Sequence, residues 1–248
     1  MGHNATEALV DYARPRPGMK ILDLASGTGE PAITLASRIG PEGQVTALDV
    51  SPELLQMAEQ RARERGLTNI TTREADANKV PFADHSFDLV TSRCGVMFLR
   101  EDALREAYRV LRPGAHACFL VWGPFEQPFW ASTMGIVHRH TGGTLVPADQ
   151  NPFRYSPPGS LSFTLRRAGF EKAEEETRTV PWIWPGTAEE LWEQVQSVAA
   201  PFRRMLERVP AEKGDEINSA VHAALDKYVV GDEVRFGAVM VLASGSKA

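Results

Sequence analysis

The 248-residue sequence has only two cysteines, Cys94 and Cys118, and both lie in apolar contexts. So few cysteines exclude a disulfide framework and are typical of a reducing compartment, so we expect a cytoplasmic location. No apolar run approaches the roughly 18 residues that span a bilayer, and the amino terminus lacks the basic and apolar segments of a signal peptide. Histidine and cysteine do not recur with zinc-site spacing, so we expect no metal.

Basic residues are also fewer than acidic residues. The chain carries 27 lysines and arginines against 32 aspartates and glutamates, for a formal net charge of −5 and a pI near 5.7. Without a broad basic surface, a nucleic acid is not expected as the main partner, and a small molecule is favoured. An apolar share of 43% is that of an ordinary globular protein. A chain of this length suits one α/β core with an inserted subdomain better than two independent domains.

The first half of the sequence alternates short apolar runs with amphipathic segments, which predicts a repeated strand–helix unit. The predicted strands are 19–24, 44–50, 69–74, 87–92 and 115–122, and the predicted helices are 31–38, 51–65 and 101–111. Ser51 is the expected N-cap of the second helix, with Pro52 in its first turn and Gly66 at its end. Strands that alternate with helices of this length form a mostly parallel sheet.

The pattern changes after Gly123, where proline, glycine and aromatic residues become frequent. The elements predicted there are helices over 129–140 and 160–167, a strand over 170–182, two helices between 187 and 228, and a last strand over 234–244. We therefore expect a ligand-binding core over 1–123. Residues 124–248 complete the sheet and carry a substrate-binding helical cap over about 187–228, within a single domain overall.

A glycine-bearing turn over residues 25–29 follows the first strand directly, and a helix begins just after it. Glycines in such a turn permit positive φ and let a ligand lie against bare backbone, and the helix amino terminus offers unpaired N–H groups. Gly27, Gly29 and Ala32 match the dinucleotide fingerprint, and Asp49 ends the second strand at the spacing of a ribose-binding acid. The turn alone therefore fits NAD and S-adenosylmethionine equally.

Asp23 distinguishes these two ligands. A carboxylate at the end of the first strand would repel the pyrophosphate of a dinucleotide, whereas it attracts the sulfonium and ammonium groups of S-adenosylmethionine. The residues thus favour a methyl donor. Two alternatives stay open, namely an NAD-dependent oxidoreductase that uses the same turn and a protein that binds S-adenosylmethionine without catalysis.

Five segments in register resemble the class I S-adenosylmethionine-dependent methyltransferases of the type 11 branch, which includes the ubiquinone and menaquinone C-methyltransferases. These segments are ILDLASGTG at 21–29, ALDVSPELL at 47–55, ADA at 75–77, VPFADHSFDLV at 80–90 and LREAYRVLRPG at 104–114. The resemblance is strong over 18–123 and weaker beyond. It implies a Rossmann-like doubly wound α/β sheet of about seven strands, mostly parallel with one antiparallel strand. It also implies methyl transfer from S-adenosylmethionine, with S-adenosylhomocysteine as product, to a small metabolite.

The resemblance assigns a methionine-binding side of the cofactor site. It comprises Asp23 and the backbone of Ala25, Ser26, Gly27, Thr28 and Gly29, together with Ser92 and Arg93. The turn passes under the methionine moiety, and the Gly27 carbonyl accepts from its ammonium. Ser92 and Arg93 line the floor near the sulfonium. Ala25 stands where the family usually has glycine.

The resemblance also assigns an adenosine-binding side. Asp49 accepts both ribose hydroxyls, Val50 packs on one adenine face, Asp76 accepts from the adenine N6 amino group, and the Ala77 N–H donates to adenine N1. Many relatives cover the cofactor with amino-terminal helices. In this sequence Tyr12 and the short helix near it are expected to do so.

No residue is assigned a catalytic role. His138 and His140 follow the fifth strand, where a general base would be useful, but a solvated helix face explains them better. An aromatic set consists of Trp122, Phe125, Phe129, Trp130, Trp182 and Trp184. Its first members leave the carboxyl end of a strand, the edge where open α/β sheets bind ligands, so the set predicts an apolar pocket for a small apolar or aromatic metabolite.

Overall fold

One mixed sheet organises the chain in the computed structural model, which describes residues 2–198 and 200–248. The strands are β1 (Lys20–Leu24), β2 (Gln44–Asp49), β3 (Ile70–Glu74), β4 (Phe87–Arg93), β5 (Leu111–Trp122), β6 (Glu171–Trp184), β7 (Val229–Val230) and β8 (Glu233–Ser246). Their order is β3-β2-β1-β4-β5-β8-β6, and β7 pairs with β8. Strands β1 to β5 pair in parallel, while β8 runs antiparallel to both β5 and β6. The predicted doubly wound sheet with one antiparallel strand is confirmed, and the two-residue β7 is an addition to it.

Helices connect these strands and form the cap. They are α1 (His3–Ala13), α2 (Ala32–Ile39), α3 (Pro52–Glu64), α4 (Glu101–Val110), α5 (Pro128–Ala131), α6 (Met134–Thr141), α7 (Ser160–Arg167), α8 (Ala188–Val198), α9 (Arg203–Leu206) and α10 (Gly214–Leu225). Single-turn 3-10 helices lie at Val96–Phe98, Ala148–Gln150, Ala200–Phe202, Ala211–Lys213 and Asp226–Tyr228. Within 2–198 and 200–248, no helix has the length and apolar character needed to cross a bilayer.

The first half follows the sequence closely because its local signals agree with its packing. In β1, Ile21, Leu22 and Leu24 are fully buried, as expected for a central strand whose two faces are covered. The Ser51 hydroxyl accepts the Leu54 N–H at 3.2 Å, so the predicted N-cap of α3 is confirmed. Gly66 ends this helix segment with a φ of 68°.

Strands β6 and β8 extend past the end of β5. The last residue of β5, Trp122, lies opposite Met240, but β8 continues to pair with β6 from Val239 back to Val234. This two-stranded extension leads into the cap helices α8 to α10. The cap therefore rises from the carboxyl edge of the parallel strands, where α/β sheets bind their ligands.

The helix predicted over 129–140 is interrupted. The structure has two helices there, α5 and α6, and Thr133 between them departs from helical geometry with φ −120° and ψ −99°. The Thr133 hydroxyl donates to the Phe129 carbonyl oxygen at 2.8 Å. The Thr133 backbone N–H bonds to the Trp130 carbonyl oxygen at 3.3 Å, three residues back, so the regular four-residue pattern of the helix is lost at this position.

Candidate functional site

Asp23 is fully buried at the end of β1, opposite Thr91 of the neighbouring strand β4. Its Oδ1 accepts the Thr91 hydroxyl at 2.8 Å, whereas its Oδ2 has no partner. Burial raises the pKa of this carboxyl to about 7, against the opposing effects of the Thr91 and Ser26 hydroxyls and of Arg93. A buried carboxylate with a free oxygen is a costly arrangement, and a cationic ligand nearby would stabilise it.

The turn after β1 presents bare backbone. Ala25, Gly27 and Gly29 have φ values of 53°, 52° and 105°. A Cβ at Gly27 would meet nothing within 4 Å, so this backbone faces open space. At Gly29 a Cβ would lie 2.6 Å from the Ile33 side chain, so glycine is required there for packing.

Asp49 ties the turn to the end of β2. Its Oδ2 accepts the Gly27 N–H at 2.8 Å and its Oδ1 accepts the Ser51 N–H at 3.0 Å. Each carboxylate oxygen retains acceptor capacity beyond these bonds. Asp49 is therefore placed both to hold the turn and to accept further hydrogen bonds from a ligand.

A narrow slot of about 40 Å³ lies beside Asp49. It is lined by Ala25, Leu48, Asp49, Val50, Ala75, Ala77 and Leu99. Val50 is 66% exposed, which is unusual for a valine at a strand end and leaves an apolar surface for a flat group. Asp76 lies between two lining residues without lining the slot itself, and its Oδ1 accepts both the backbone and the side-chain N–H of Asn78.

Polar atoms without partners surround the ends of β1 and β4. They are Asp23 Oδ2, Ser92 Oγ, Arg93 Nε and Thr6 Oγ1. A polar cavity of about 450 Å³ borders this region and is lined by Gly2, His3, Thr6, Glu30, Arg61, Glu64, Arg65 and Arg93. Buried polar atoms are normally satisfied, so this group retains hydrogen-bonding capacity for a polar or charged ligand.

The start of α1 borders this polar cavity, and Arg93 donates from its guanidinium to the Gly2 carbonyl oxygen at 2.9 Å. Tyr12 lies at the other end of the helix, where its hydroxyl is 3.3 Å from Ser244 Oγ of β8. The expectation that Tyr12 covers the cofactor is therefore wrong. Its apolar neighbours Leu9, Val10 and Ala13 are buried in the core, so this end of the helix faces the sheet.

A second cavity, of about 530 Å³, lies between the carboxyl ends of β4 and β5 and the cap, and we call it the acceptor cavity. It is lined by Cys94, Met97, Phe98, Trp122, Phe129, Trp130, Gln150, Pro152, Trp182, Val195, Ala200, Pro201 and Phe202. The indole of Trp122 is central to its wall, with ring centroids 5.0 Å from both Trp130 and Trp182. The lining is almost wholly apolar.

Four of the six aromatic residues singled out from the sequence line this cavity. Phe125 instead packs on Phe153 and Phe202, and Trp184 lies outside the lining. His138 and His140 do not line it either. His138 Nε2 is hydrogen-bonded to the Gly143 carbonyl at 3.0 Å, and His140 lies 3.8 Å from Glu216.

Several lining residues were not found from the sequence. Met97 and Phe98 lie in the single-turn helix a few residues after β4, and their position after a strand end was the available signal. Val195 and Phe202 come from the cap, about a hundred residues further along the chain. Nothing in their local sequence marks them as facing β4 and β5.

A sheet of this order, with a glycine turn after β1 and an acid ending β2, defines a Rossmann-like protein that binds an adenosine-containing cofactor. A family model described as a methyltransferase domain matches residues 21–114. A ubiquinone/menaquinone biosynthesis C-methyltransferase of Cupriavidus taiwanensis is 39% identical over 179 residues, which cover 66% of this chain and 72% of that protein. Its counterpart in Ectopseudomonas mendocina is 34% identical over 177 residues, which cover 66% of this chain and 69% of that protein.

The chain belongs to the class I S-adenosylmethionine-dependent methyltransferases. It is an enzyme whose methyl donor is S-adenosylmethionine, and this replaces the NAD-dependent alternative. The YcgJ protein of Bacillus subtilis has a similar fold, with a TM-score of 0.62 at 20% identity over 99% of this chain and 98% of that one.

Proposed function

We propose that this enzyme methylates a small apolar or aromatic metabolite held in the acceptor cavity. The observation that carries the proposal is the cavity itself, whose volume of about 530 Å³ and aromatic lining are typical of a small-molecule site. Cys94 and Gly95 connect it to the cofactor turn, since a Cβ at Gly95 would lie 2.7 Å from the Ala25 side chain. An acceptor in this cavity would therefore lie next to the donor.

We assign the methionine moiety of the donor to the turn at Ala25–Gly29. Asp23 lies below this turn, and Ser92 and Arg93 lie on its floor. The open backbone at Gly27 and the unpartnered Asp23 Oδ2 support this assignment. The carboxylate would stabilise the positive charge of the donor, and the turn would bring backbone groups against it.

We assign the adenosine moiety to the slot beside Asp49. Asp49 would accept the ribose hydroxyls, and Val50 and Ala77 would enclose the adenine ring with Asp76 at its edge. The exposed Val50 side chain and the apolar slot support this assignment. The bound donor supplies an activated methyl carbon, while the protein aligns the acceptor with it and excludes water.

We assign the segment 187–228 as the substrate-binding cap that closes the acceptor cavity over the core of 1–123. The contributions of Val195 and Phe202 to the cavity wall support this role. The relatives named above are ubiquinone/menaquinone biosynthesis enzymes, and an apolar cavity is compatible with acceptors of that character. The net charge of −5 and the free cysteines Cys94 and Cys118 support a metabolite, not a nucleic acid, as partner and a cytoplasmic location.

Two measurements test the proposal. Calorimetric titration should show tight binding of S-adenosylhomocysteine and weak binding of NAD. Trp130→Ala should then abolish most turnover of apolar aromatic acceptors, followed as S-adenosylhomocysteine release, while leaving the affinity for S-adenosylhomocysteine within about twofold. Unchanged turnover in Trp130→Ala would place the acceptor elsewhere.

A further inference from the structure

Two tryptophans on the wall of the acceptor cavity have indole N–H groups that are not used by the protein. Trp130 comes from α5 and Trp182 from β6, and both line the cavity. Their Nε1 atoms are buried, and within 2–198 and 200–248 neither has a hydrogen-bond partner. A buried indole N–H usually finds an acceptor, because leaving the hydrogen bond unmade costs free energy. Both groups therefore retain donor capacity for a ligand.

Trp192, on the cap helix α8, provides a contrast within the same protein. This side chain is also buried, but its indole N–H donates to Asn218 Oδ1 at 2.8 Å. Asn218 lies on α10, so a neighbouring cap helix supplies the acceptor. Trp192 does not line the acceptor cavity. The protein thus satisfies the indole of Trp192 itself, whereas it leaves those of Trp130 and Trp182 unpaired.

The neighbours of these two indoles are other aromatic rings. The ring centroid of Trp130 lies 4.8 Å from that of Phe129 and 5.3 Å from that of Phe202. Both indoles also pack edge-on against Trp122, and the centroid of Trp182 lies 6.0 Å from that of Phe129. Aromatic rings carry no lone-pair oxygen, and close packing restricts rotation of the indoles toward one. A ligand in the cavity can supply the missing acceptor.

The chemistry of the indole N–H restricts the group that it binds. It is a donor only, so it requires a lone pair on the ligand. A hydrocarbon edge or an ammonium group has none to offer, whereas a carbonyl or hydroxyl oxygen has two. In an otherwise apolar cavity, such an oxygen is costly to bury unless it gains a hydrogen bond in exchange for its hydration. The unpaired indoles therefore favour a ligand that carries oxygen.

We propose that the indole N–H groups of Trp130 and Trp182 hold an oxygen substituent of the acceptor and so select acceptors that carry one. This rests on the proposed function of the acceptor cavity. The two side chains come from different elements and meet at Trp122, so ring surfaces enclose the flat body of the acceptor while the N–H groups fix its oxygen. The two tryptophans determine which acceptors bind and how they are oriented toward the donor.

A matched pair of ligands tests the selection. α-Tetralone and tetralin share one bicyclic frame, and a ring carbonyl of the first replaces a methylene group of the second. Calorimetry in saturating S-adenosylhomocysteine should show that the wild-type enzyme binds tetralone at least about threefold more tightly than tetralin. A cavity without donors would prefer tetralin, because the carbonyl would leave water without gaining a hydrogen bond.

Replacing each indole removes its donor. Trp130→Phe and Trp182→Phe should each lower the preference for tetralone by about three- to tenfold, and the double variant should prefer tetralin. β-(3-Benzothienyl)alanine at position 130 keeps the bicyclic ring but has sulfur in place of N–H. It should lose as much preference as Trp130→Phe. Because the preference is a ratio measured on one protein, a general loss of affinity for both ligands does not change it.

Trp184→Phe is the matched control. Trp184 also lies on β6 and has a buried Nε1 without a partner in the described part of the chain, but it does not line the acceptor cavity. Its replacement should leave the preference for tetralone within about twofold of wild type. An equal loss of preference in Trp184→Phe would overturn the assignment, because the effect would then come from general repacking of the aromatic residues.

Two further results would overturn the assignment and leave the acceptor cavity in place. They are a wild-type preference for tetralin, and a benzothienyl protein that keeps the wild-type preference for tetralone. In either case the cavity binds small aromatic ligands, and only the role of the N–H groups falls. Binding of neither ligand to an enzyme that still binds S-adenosylhomocysteine would overturn the proposed acceptor cavity as well.

Discussion

The proposed donor side and the proposed acceptor side of this enzyme differ in the groups that form them. The donor side uses backbone and polar side chains, and much of it comes from one short stretch between Asp23 and Asp49. The acceptor cavity uses apolar side chains drawn from the segment after β4, from β5, α5 and β6, and from the cap. The donor is the same for every methyltransferase of this class, whereas acceptors differ. The donor side is therefore specified mainly by local sequence, whereas the acceptor cavity is specified by the packing of distant segments.

Among substitutions that distinguish the two sides, the largest effect is expected from one at Phe202. This cap residue is 1% exposed and lines the acceptor cavity. Phe202→Ala should lower the free energy of unfolding by about 3 kcal/mol, because it leaves a void in a packed aromatic cluster. It should also raise KM for the acceptor while the dissociation constant of S-adenosylhomocysteine stays within about twofold. Urea denaturation and calorimetry measure the two quantities.

Phe87→Ala is the matched control for Phe202→Ala. Phe87 is 6% exposed at the start of β4, at the opposite end of that strand from the cavity, and its ring packs edge-on against Phe82. The loss of stability should be comparable, but KM for the acceptor should not change. A similar rise in KM for both variants would mean that the effect of Phe202 comes from general destabilisation.

The next largest effect is expected at Asp49. Asp49→Ala should weaken S-adenosylhomocysteine binding by about ten- to a hundredfold, because charge-assisted acceptors for the ribose hydroxyls are lost. The Gly27 N–H also loses its partner, which loosens the turn. Asp49→Asn retains one acceptor oxygen and should lose less affinity. Calorimetric affinity equal to wild type in Asp49→Ala would contradict the ribose assignment.

The same contrast explains what the sequence could predict. The donor side depends on spacing along one strand–turn–helix unit, so Asp23, the glycine turn, Asp49 and the Ser51 cap were predictable from neighbouring residues. In the acceptor cavity, Trp122 and Trp130 were predictable because they leave the carboxyl end of a strand. Phe202 and Val195 were not, because only the tertiary path of the cap brings them there.

Two further predictions, one at Thr133 and one at Tyr12, differ from the structure because local sequence patterns do not encode the contacts that decide them. The break between α5 and α6 lies at Thr133, where the backbone leaves helical geometry, and helical periodicity in the sequence does not record it. Tyr12 was expected over the cofactor from its position before the first strand. The direction in which α1 packs on the sheet instead carries it to Ser244.

A smaller, pH-dependent effect is expected at Asp23. Its pKa is raised from 3.8 to about 7 by burial, so the unfolded chain releases this proton at lower pH than the folded protein does. The carboxyl therefore costs the free protein no stability below about pH 4 and progressively more up to about pH 7, after which the cost levels off. Asp23→Asn does not titrate. Between pH 5 and 7 the free energy of unfolding of the wild type should fall by about 2 kcal/mol relative to this variant, measured by urea denaturation.

Cofactor binding provides the complementary readout for Asp23. The substitution removes the negative charge below the turn, so it should weaken S-adenosylhomocysteine binding even where it improves stability. A stability difference that is flat with pH would mean that the carboxyl is ionised throughout. In that case a neighbouring cation such as Arg93 would offset the effect of burial on the pKa of Asp23.

The smallest effect concerns the junction of the two sides, where Ala25 of the donor turn meets Gly95, the residue after the cavity-lining Cys94. Ala25 has a left-handed φ of 53°, which costs an L-residue about 1 kcal/mol, but glycine loses more backbone entropy on folding. Ala25→Gly should therefore change stability by less than about 1 kcal/mol. Gly95→Ala alone should be worse, because the new methyl group would lie 2.7 Å from Ala25 Cβ and 2.5 Å from Ser92 Oγ.

The double variant determines whether this contact couples the two sides. Replacing Ala25 by glycine removes one of the two clashes, so Gly95→Ala should be about 1 kcal/mol less damaging in that background. S-adenosylhomocysteine affinity should recover in parallel, since the turn can then keep its position. Strict additivity of the two substitutions in stability and in affinity would show that the donor turn and the acceptor wall are independent at their closest approach. The separation between the two sides would then be complete, and the Ala25 methyl group would only fill space.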